Sequence, residues 1–293
     1  MAVDNKSSET SSDAIVTKKL GPVFWICAAW IGVTVLSAFL APWIGLPSPT
    51  VVDYNHFSMN GPISAAHWFG TNDGGQDIFA RVVFGARISL EVSFGSMLLA
   101  SVIGGTLAIL AAYKGGILDT ISNSLMTLIL AFPAALAVIA ILSFWMPTTP
   151  FKLILIIGIS GIPLIFRVVR GATLATARKE YVLAAHVQGA KTPRIIFKEI
   201  IPAIWPTAVA FFVLGVASVI MLEGALAFLG LSVQSPAFSW GTLLNDARQK
   251  IYPPNQNFNM LIWPCLDMVL FIVSLNFVGD RLRSYFDITE GKL

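Results

Sequence analysis

Three carboxylates lie within or at the edges of long apolar runs: Glu91, Glu223 and Asp267. Because a carboxylate in hydrocarbon is costly, it usually faces a cavity or a partner. One interpretation is a path across a membrane on which these groups meet a cation or an amino group. The alternatives are that Glu91 and Asp267 lie near water at the predicted outer ends of their runs, and that Glu223 makes a structural hydrogen bond to a partner chain.

The sequence lacks the patterns typical of catalysis and of bound cofactors. It has no G-x-x-x-x-G-K-[ST] phosphate loop, so it has no evident nucleotide site of its own. Cys27 and Cys265 lie in apolar runs, which favours small buried side chains, and no C-x-x-C pair or His cluster predicts a metal or redox site. His67 and His186 stand alone in the sequence. We therefore assign no catalytic residue and no metal ligand.

A polar segment from Glu180 to Pro202 stands between two strongly apolar runs. Its residues predict a short helix, because Glu180 suits a helix start, Gly189 suits a left-handed helix end and Pro193 permits a new start. Such a helix places four residues on one side with the spacing used for docking into a groove. These residues are Tyr181, Ala184, Ala185 and Gln188. The alternative is a solvated connecting helix.

The composition predicts a polytopic membrane protein that must position these groups on apolar helices. Of the 293 residues 56% are hydrophobic and 12% are charged, and the mean hydropathy is +0.76; soluble domains carry roughly 25% charged residues. The net charge of +3 does not indicate a nucleic-acid partner. Six apolar runs are long enough to span a membrane, near 21–44, 88–113, 120–146, 152–169, 203–231 and 260–280. Phe132–Pro133 and Pro163 predict bends in the third and fourth runs.

The distribution of Lys and Arg predicts the orientation. Most of the 19 basic residues fall on one side if both termini are cytoplasmic. The 165–202 segment then faces the cytoplasm, and the segments 45–87 and 232–259 face outward. The polar, Ser-rich residues 1–20 are expected to form a disordered cytoplasmic tail.

The outer segment 232–259 is expected to fold as a compact cap, since it contains Trp240 and Tyr252 beside two prolines. Trp240 and Tyr252 are candidates for contact with a partner protein outside, and the alternative is an aromatic anchor at the membrane surface. Asp73 and Asp77 have the chemistry to bind a cation, but capping a turn is the commoner role.

In its order of motifs the sequence resembles the permeases of binding-protein-dependent ABC importers, in the dipeptide, oligopeptide and nickel branch. The polar segment resembles the family's cytoplasmic coupling (EAA) motif, and further matches extend from about residue 67 to 287. The chain departs from the usual family residue at Gln76, Glu199 and Ser232. The matching blocks are G-T-N-D-G-G-Q-D at 70–77, Y-K-G-G-I-L-D at 113–119, A-F-P at 131–133, E-G-A-L-A-F-L-G-L-S at 223–232 and N-F-V-G-D-R-L-R-S-Y-F-D at 276–287.

The resemblance implies an all-α polytopic membrane protein of the type I ABC importer permease fold, with six transmembrane helices and a cytoplasmic coupling helix. It implies a tail at 1–20, a first helix and outer segment at 21–66, a permease core with five spans at 67–287 and a tail at 288–293. It also implies a bacterial cytoplasmic membrane location and peptide substrates. The implied partners are a homologous permease, membrane lipid, an extracellular solute-binding protein and two ATPase subunits that bind ATP and Mg.

Other functions remain open on the residues alone. A nickel or metal-chelate importer of the same branch shares the motifs. A proton-coupled secondary transporter would use Glu91, Glu223 and Asp267 as a proton relay, but clear inverted repeats and midplane charges are missing. A membrane scaffold without transport leaves the polar segment unexplained.

Overall fold

The computed structural model describes residues 21–43, 45–50, 59–248, 250 and 256–290. Within these ranges the chain is helical, and its extended pairing is limited to one isolated antiparallel bridge between Thr71 and Asp77. The helices are α1 Gly21–Leu40, α2 Ile78–Lys114, α3 Gly116–Leu130, α4 Ala134–Phe144, α5 Pro150–Ala177, α6 Glu180–Val187, α7 Thr192–Ile195, a π-helical turn Ile196–Ile200, α8 Ile201–Phe228, α9 Trp240–Arg248 and α10 Asn259–Glu290.

In the part of the chain that the structure describes, five helical stretches are long and apolar enough to cross a membrane: α1, α2, α5, the continuous stretch from α7 through α8, and α10. Each corresponds to one of the predicted runs. The third predicted run forms α3 and α4, which meet at an angle of 75° and make a sixth span only if the pair crosses as one. The predicted bend at Phe132–Pro133 is confirmed, because α3 ends at Leu130 and α4 begins at Ala134.

Helix α2 begins ten residues before the predicted run, at Ile78. Asp77 caps its first turn by accepting a hydrogen bond from the Ala80 amide at 2.6 Å. Arg81 and Arg87 interrupt the apolar pattern here, and for this reason hydropathy alone placed the start of the run too late. Arg81 is accommodated because it donates to Gln76 and lies 5.2 Å from the centre of the Phe238 ring.

Helix α5 extends eight residues beyond its predicted end at 169 and reaches Ala177. Its added turns include Arg170, which forms a two-pronged ion pair with Asp119 of α3: both Nε and Nη2 donate to the carboxylate at 2.6 Å. Such a paired guanidinium lets a helix continue past the end of its apolar run. The pair also fixes the start of the bent α3–α4 unit against α5.

Helices α2, α5 and α8 form the packed centre of the molecule, and α10 lies against α8 and α1. Small residues permit the close approach of α2 and α5, as expected for membrane helices. At Gly104 an added Cβ would lie 2.9 Å from the Ile162 carbonyl oxygen. This framework holds α6 and α7 between the end of α5 and the start of α8, and it holds α9 near the end of α8.

Candidate functional site

The predicted docking helix exists as α6 and ends as its sequence indicates. Gly189 has φ of 78°. Its amide donates to the His186 carbonyl at 3.0 Å, and the Ala190 amide donates to the Ala185 carbonyl at 3.1 Å. This pair of bonds is a Schellman motif, which closes a helix around a left-handed residue. Pro193 lies in the first turn of α7, so the expected restart is also confirmed.

Three residues of the predicted face of α6, Tyr181, Ala184 and Gln188, are exposed, and the fourth, Ala185, is not. Val182 is buried and Ala185 packs against the core, so Ala185 does not belong to the outer side. Leu183 is 54% exposed and Val187 is 87% exposed, although both are apolar. Leu183 and Val187 were not among the predicted docking residues. They lie three and seven positions after Glu180, a spacing that places all three residues on one side of a helix, opposite the buried Val182. We call Glu180, Leu183, Ala184, Val187 and Gln188 the α6 ridge; all five are exposed.

Leu183 and Val187 are exposed apolar side chains at i and i+4 on a helix of eight residues, which is the spacing of anchors that dock into a groove. Tyr181 lies beside it and is 44% exposed. Pro202, the distal end of the predicted segment, is exposed in the first turn of α8 and follows the π-helical turn. Because proline has no amide hydrogen, a local change of helical pitch just before it is expected.

Glu223 lies fully inside the chain, at 1% exposure, and its carboxylate accepts three serine hydroxyls. Ser232 and Ser239 each donate to Oε1 at 2.6 Å, and Ser89 donates to Oε2 at 3.4 Å. These contacts join α2, α8 and the segment before α9. Burial leaves the Glu223 carboxylate no exposed surface on a path through this chain, and its hydrogen bonds join residues of the same chain, whereas the predicted bond was to a partner chain.

Trp240 belongs to the same cluster and has no exposed surface. Its amide donates to Ser89 Oγ at 3.1 Å, and its indole Nε1 donates to the Val82 carbonyl at 3.0 Å. A buried indole offers no surface to a second protein, so the predicted contact with a binding protein does not fit Trp240. Its role is to hold α9 on α2. Tyr252, the other predicted contact residue, lies outside the described residues.

The remaining two carboxylates have no hydrogen bond or ion pair with any residue that the structure describes. Glu91 is exposed on α2, thirteen residues after Ile78, or roughly 20 Å along the helix axis. It is therefore farther from the helix start than predicted. Asp267 is half-buried in α10, eight residues after Asn259, or roughly 12 Å along the axis. Among the described residues, no hydrogen bond or ion pair links Glu91, Glu223 and Asp267 to one another.

The loop before α2 folds against α9 and the start of α10. Asp77, expected to cap a turn, caps α2 and also pairs with buried His67 at 2.8 Å between Oδ2 and Nδ1. Asp73 pairs with Lys250 at 2.7 Å. The partner of His67 is ten residues away in sequence, which explains why His67 appeared isolated, and Asp73 forms an ion pair where a turn cap was expected. Among the described residues, no three His, Cys, Asp or Glu side chains are placed to hold a metal ion.

Comparison with known proteins agrees with these features. Residues 104–288 match the family described as "Binding-protein-dependent transport system inner membrane component". The chain is 35% identical over 263 residues to the dipeptide transport system permease protein DppC of Alkalihalophilus pseudofirmus, covering 88% of this chain and 85% of the relative. It is 34% identical over 263 residues to the oligopeptide transport system permease protein OppC of Bacillus subtilis, with coverage of 88% and 85%.

A third relative is the glutathione transport system permease protein GsiD of Pectobacterium atrosepticum, 35% identical over 236 residues, with coverage of 80% and 76%. The family match and the helical architecture agree with one another. The chain belongs to the binding-protein-dependent transport system inner membrane components, the multi-pass permease subunits of ABC importers.

Proposed function

We propose that this chain is the permease subunit of an ATP-driven importer of di- and oligopeptides. The observation that carries the proposal is the α6 ridge: an apolar docking surface on a short helix between two spans, in a sequence without a phosphate loop. A transporter that presents a docking helix and has no motor of its own needs a separate motor. The names of the relatives, which specify dipeptides, oligopeptides and glutathione, support peptide substrates.

In this proposal the subunit performs no bond chemistry, and two partner ATPases bind and hydrolyse ATP with Mg. Their closure moves α6, and the movement passes to α5 and α8, between which α6 lies in sequence. A second, homologous permease forms the other half of the path. A solute-binding protein delivers the peptide from outside. Both termini are cytoplasmic, as the distribution of basic residues favours.

The test of the energy source is uptake of a labelled dipeptide by cells that depend on this importer. We expect uptake to continue when an uncoupler collapses the proton gradient and cellular ATP is kept high. Uptake that stops under these conditions would establish a proton-coupled transporter instead. Labelled nickel, free or chelated, serves as the second substrate, and uptake of nickel without uptake of dipeptide would overturn the peptide assignment.

A further inference from the structure

A cavity of about 340 Å³ lies between α1, α2 and α10, away from the α6 ridge. Its walls are largely apolar and aromatic, and one carboxylate interrupts them. That carboxylate is Asp267. The aromatic wall residues are Trp30, Phe69, Phe79 and Trp263.

Asp267 is the only acidic side chain on the described wall of this cavity. It makes no hydrogen bond and no ion pair with a described residue, unlike Glu223, which accepts from three serines. A half-buried carboxylate without a partner in an apolar helix is costly unless a cation reaches it. The position of Asp267 on a cavity wall gives such a cation a place to bind.

The aromatic walls suit an organic ammonium group. Phe69 and Trp263 stack with their ring centres 4.0 Å apart, and Trp30 contributes a further indole. Aromatic faces attract ammonium groups, and more strongly where water is excluded. The indole Nε1 atoms of Trp30 and Trp263 are buried without a hydrogen-bond acceptor among the described residues. A zwitterionic ligand would bring oxygen atoms that can accept from these donors.

The residues at the rim of the cavity indicate which kind of ligand carries the ammonium group. Val33, Leu266 and Leu270 line the cavity and are exposed, at 59%, 48% and 41%. All three lie in helices that are long and apolar enough to span a membrane, and their uncovered apolar surfaces suit contact with acyl chains. A ligand that enters past them carries an apolar chain behind its headgroup.

We propose that this cavity binds the headgroup of a phospholipid bearing a primary ammonium group, with Asp267 as the counter-ion and the aromatic rings as its walls. The acyl chains lie against the exposed apolar rim. The site is separate from the transported peptide, and it holds a lipid at the junction of the peripheral helix α1 with α2 and α10.

The test titrates delipidated protein, in the complex in which the full chain purifies, with dioleoylphosphatidylethanolamine or dioleoylphosphatidylglycerol, and counts bound lipids by native mass spectrometry. We expect the ethanolamine lipid to bind more tightly than the glycerol lipid. Asp267→Asn should weaken ethanolamine-lipid binding about tenfold, since it removes a charge-assisted contact. It should not weaken glycerol-lipid binding, because that anionic headgroup has no ammonium group for Asp267 to bind. Glu91→Gln is the matched control, because it removes an exposed carboxylate outside the cavity and should change neither affinity.

Leu270→Trp provides a second variant that narrows the cavity without altering its charge, and it should also weaken binding of the ethanolamine lipid. Equal affinity for the two lipids, or an unchanged affinity in Asp267→Asn, would overturn the proposal. Displacement of the ethanolamine lipid by millimolar dipeptide would assign the cavity to the peptide's amino group instead. That result would reject the lipid site and leave the proposed import function intact.

Discussion

At the scale of single residues, Glu223 shows how the fold accommodates a carboxylate in an apolar helix. Its two oxygens accept hydroxyl hydrogens from Ser89, Ser232 and Ser239. Buried polar groups are tolerated when their partners are complete, and the same network becomes costly when one member is removed. The packing at Gly241 is close, because an added Cβ would lie 2.7 Å from Ala227 Cβ. Little room is therefore left for another group to replace the carboxylate as hydrogen-bond acceptor.

Glu223→Ala should therefore lower the free energy of unfolding by roughly 1–3 kcal/mol, because the buried serine hydroxyls lose their acceptor. The measurement is the midpoint of thermal unfolding of the purified protein. Met221→Ala is the control, because this side chain is on the same helix and 57% exposed, and its midpoint should move little. Glu223→Gln keeps one carbonyl acceptor and should retain both fold and uptake. A Glu223→Gln protein that is fully stable yet inactive would show that the charge itself acts in transport.

The sequence singles out Glu223 as a carboxylate in an apolar run, but it does not predict which residues donate to it. Ser89 lies 134 residues from Glu223, and no local pattern links them. Ser232 and Ser239 are 9 and 16 residues from Glu223, close enough in sequence that a local donor could have been predicted. Trp240 was misassigned for a related reason: an aromatic residue in an outer segment looks the same in sequence whether it faces outward or inward.

At the scale of elements, local signals predicted more. Gly189 and Pro193 marked the end of α6 and the start of α7 because left-handed backbone and proline geometry are properties of single residues. Pro133 marked the break between α3 and α4 for the same reason. The helix start and end that depend on side-chain pairing were missed: Arg81 lies inside α2 and donates to Gln76, five residues away, and Arg170 lies inside α5 and donates to Asp119, 51 residues away.

Gly189→Asp should uncouple the importer while the membrane helices stay folded. The φ of 78° costs a residue with a side chain about 1 kcal/mol, and nothing lies within 4 Å of an added Cβ, so the damage stays local. The new charge would lie next to the α6 ridge. We expect weaker co-purification of the ATPase subunits and several-fold lower substrate-stimulated ATP hydrolysis; bulky changes at Ala184, on the ridge, should act likewise.

Gly189→Asn is the matched control for that charge, because Asn tolerates the left-handed conformation and has nearly the same shape. It should impair coupling less than Asp does. Normal co-purification and normal stimulated hydrolysis in Gly189→Asp and in the Ala184 variants would mean that the segment only connects α5 to α8.

At the scale of the whole molecule, orientation decides whether the α6 ridge can reach cytoplasmic ATPases. In the proposed arrangement α6 lies on the cytoplasmic side of the membrane, and the segment before α9 lies on the outer side. Five spanning helices plus the bent α3–α4 pair return the chain to its starting side only if that pair crosses the membrane. The side on which α6 lies therefore tests the membrane path of α3 and α4 as well as the coupling argument.

Single cysteines at Ser235 and Lys191 measure this arrangement, after Cys27 and Cys265 are replaced by Ala to remove background. Both test positions are exposed in the structure. In intact cells an impermeant thiol reagent should label Ser235→Cys and spare Lys191→Cys, and both should react once the membrane is permeabilised. Substrate-loaded binding protein should slow labelling at 235, since the outer segment is the proposed contact surface. Labelling of Lys191→Cys from outside would invert the orientation and defeat the coupling argument, whereas unchanged labelling at 235 would remove only the docking role of the outer segment.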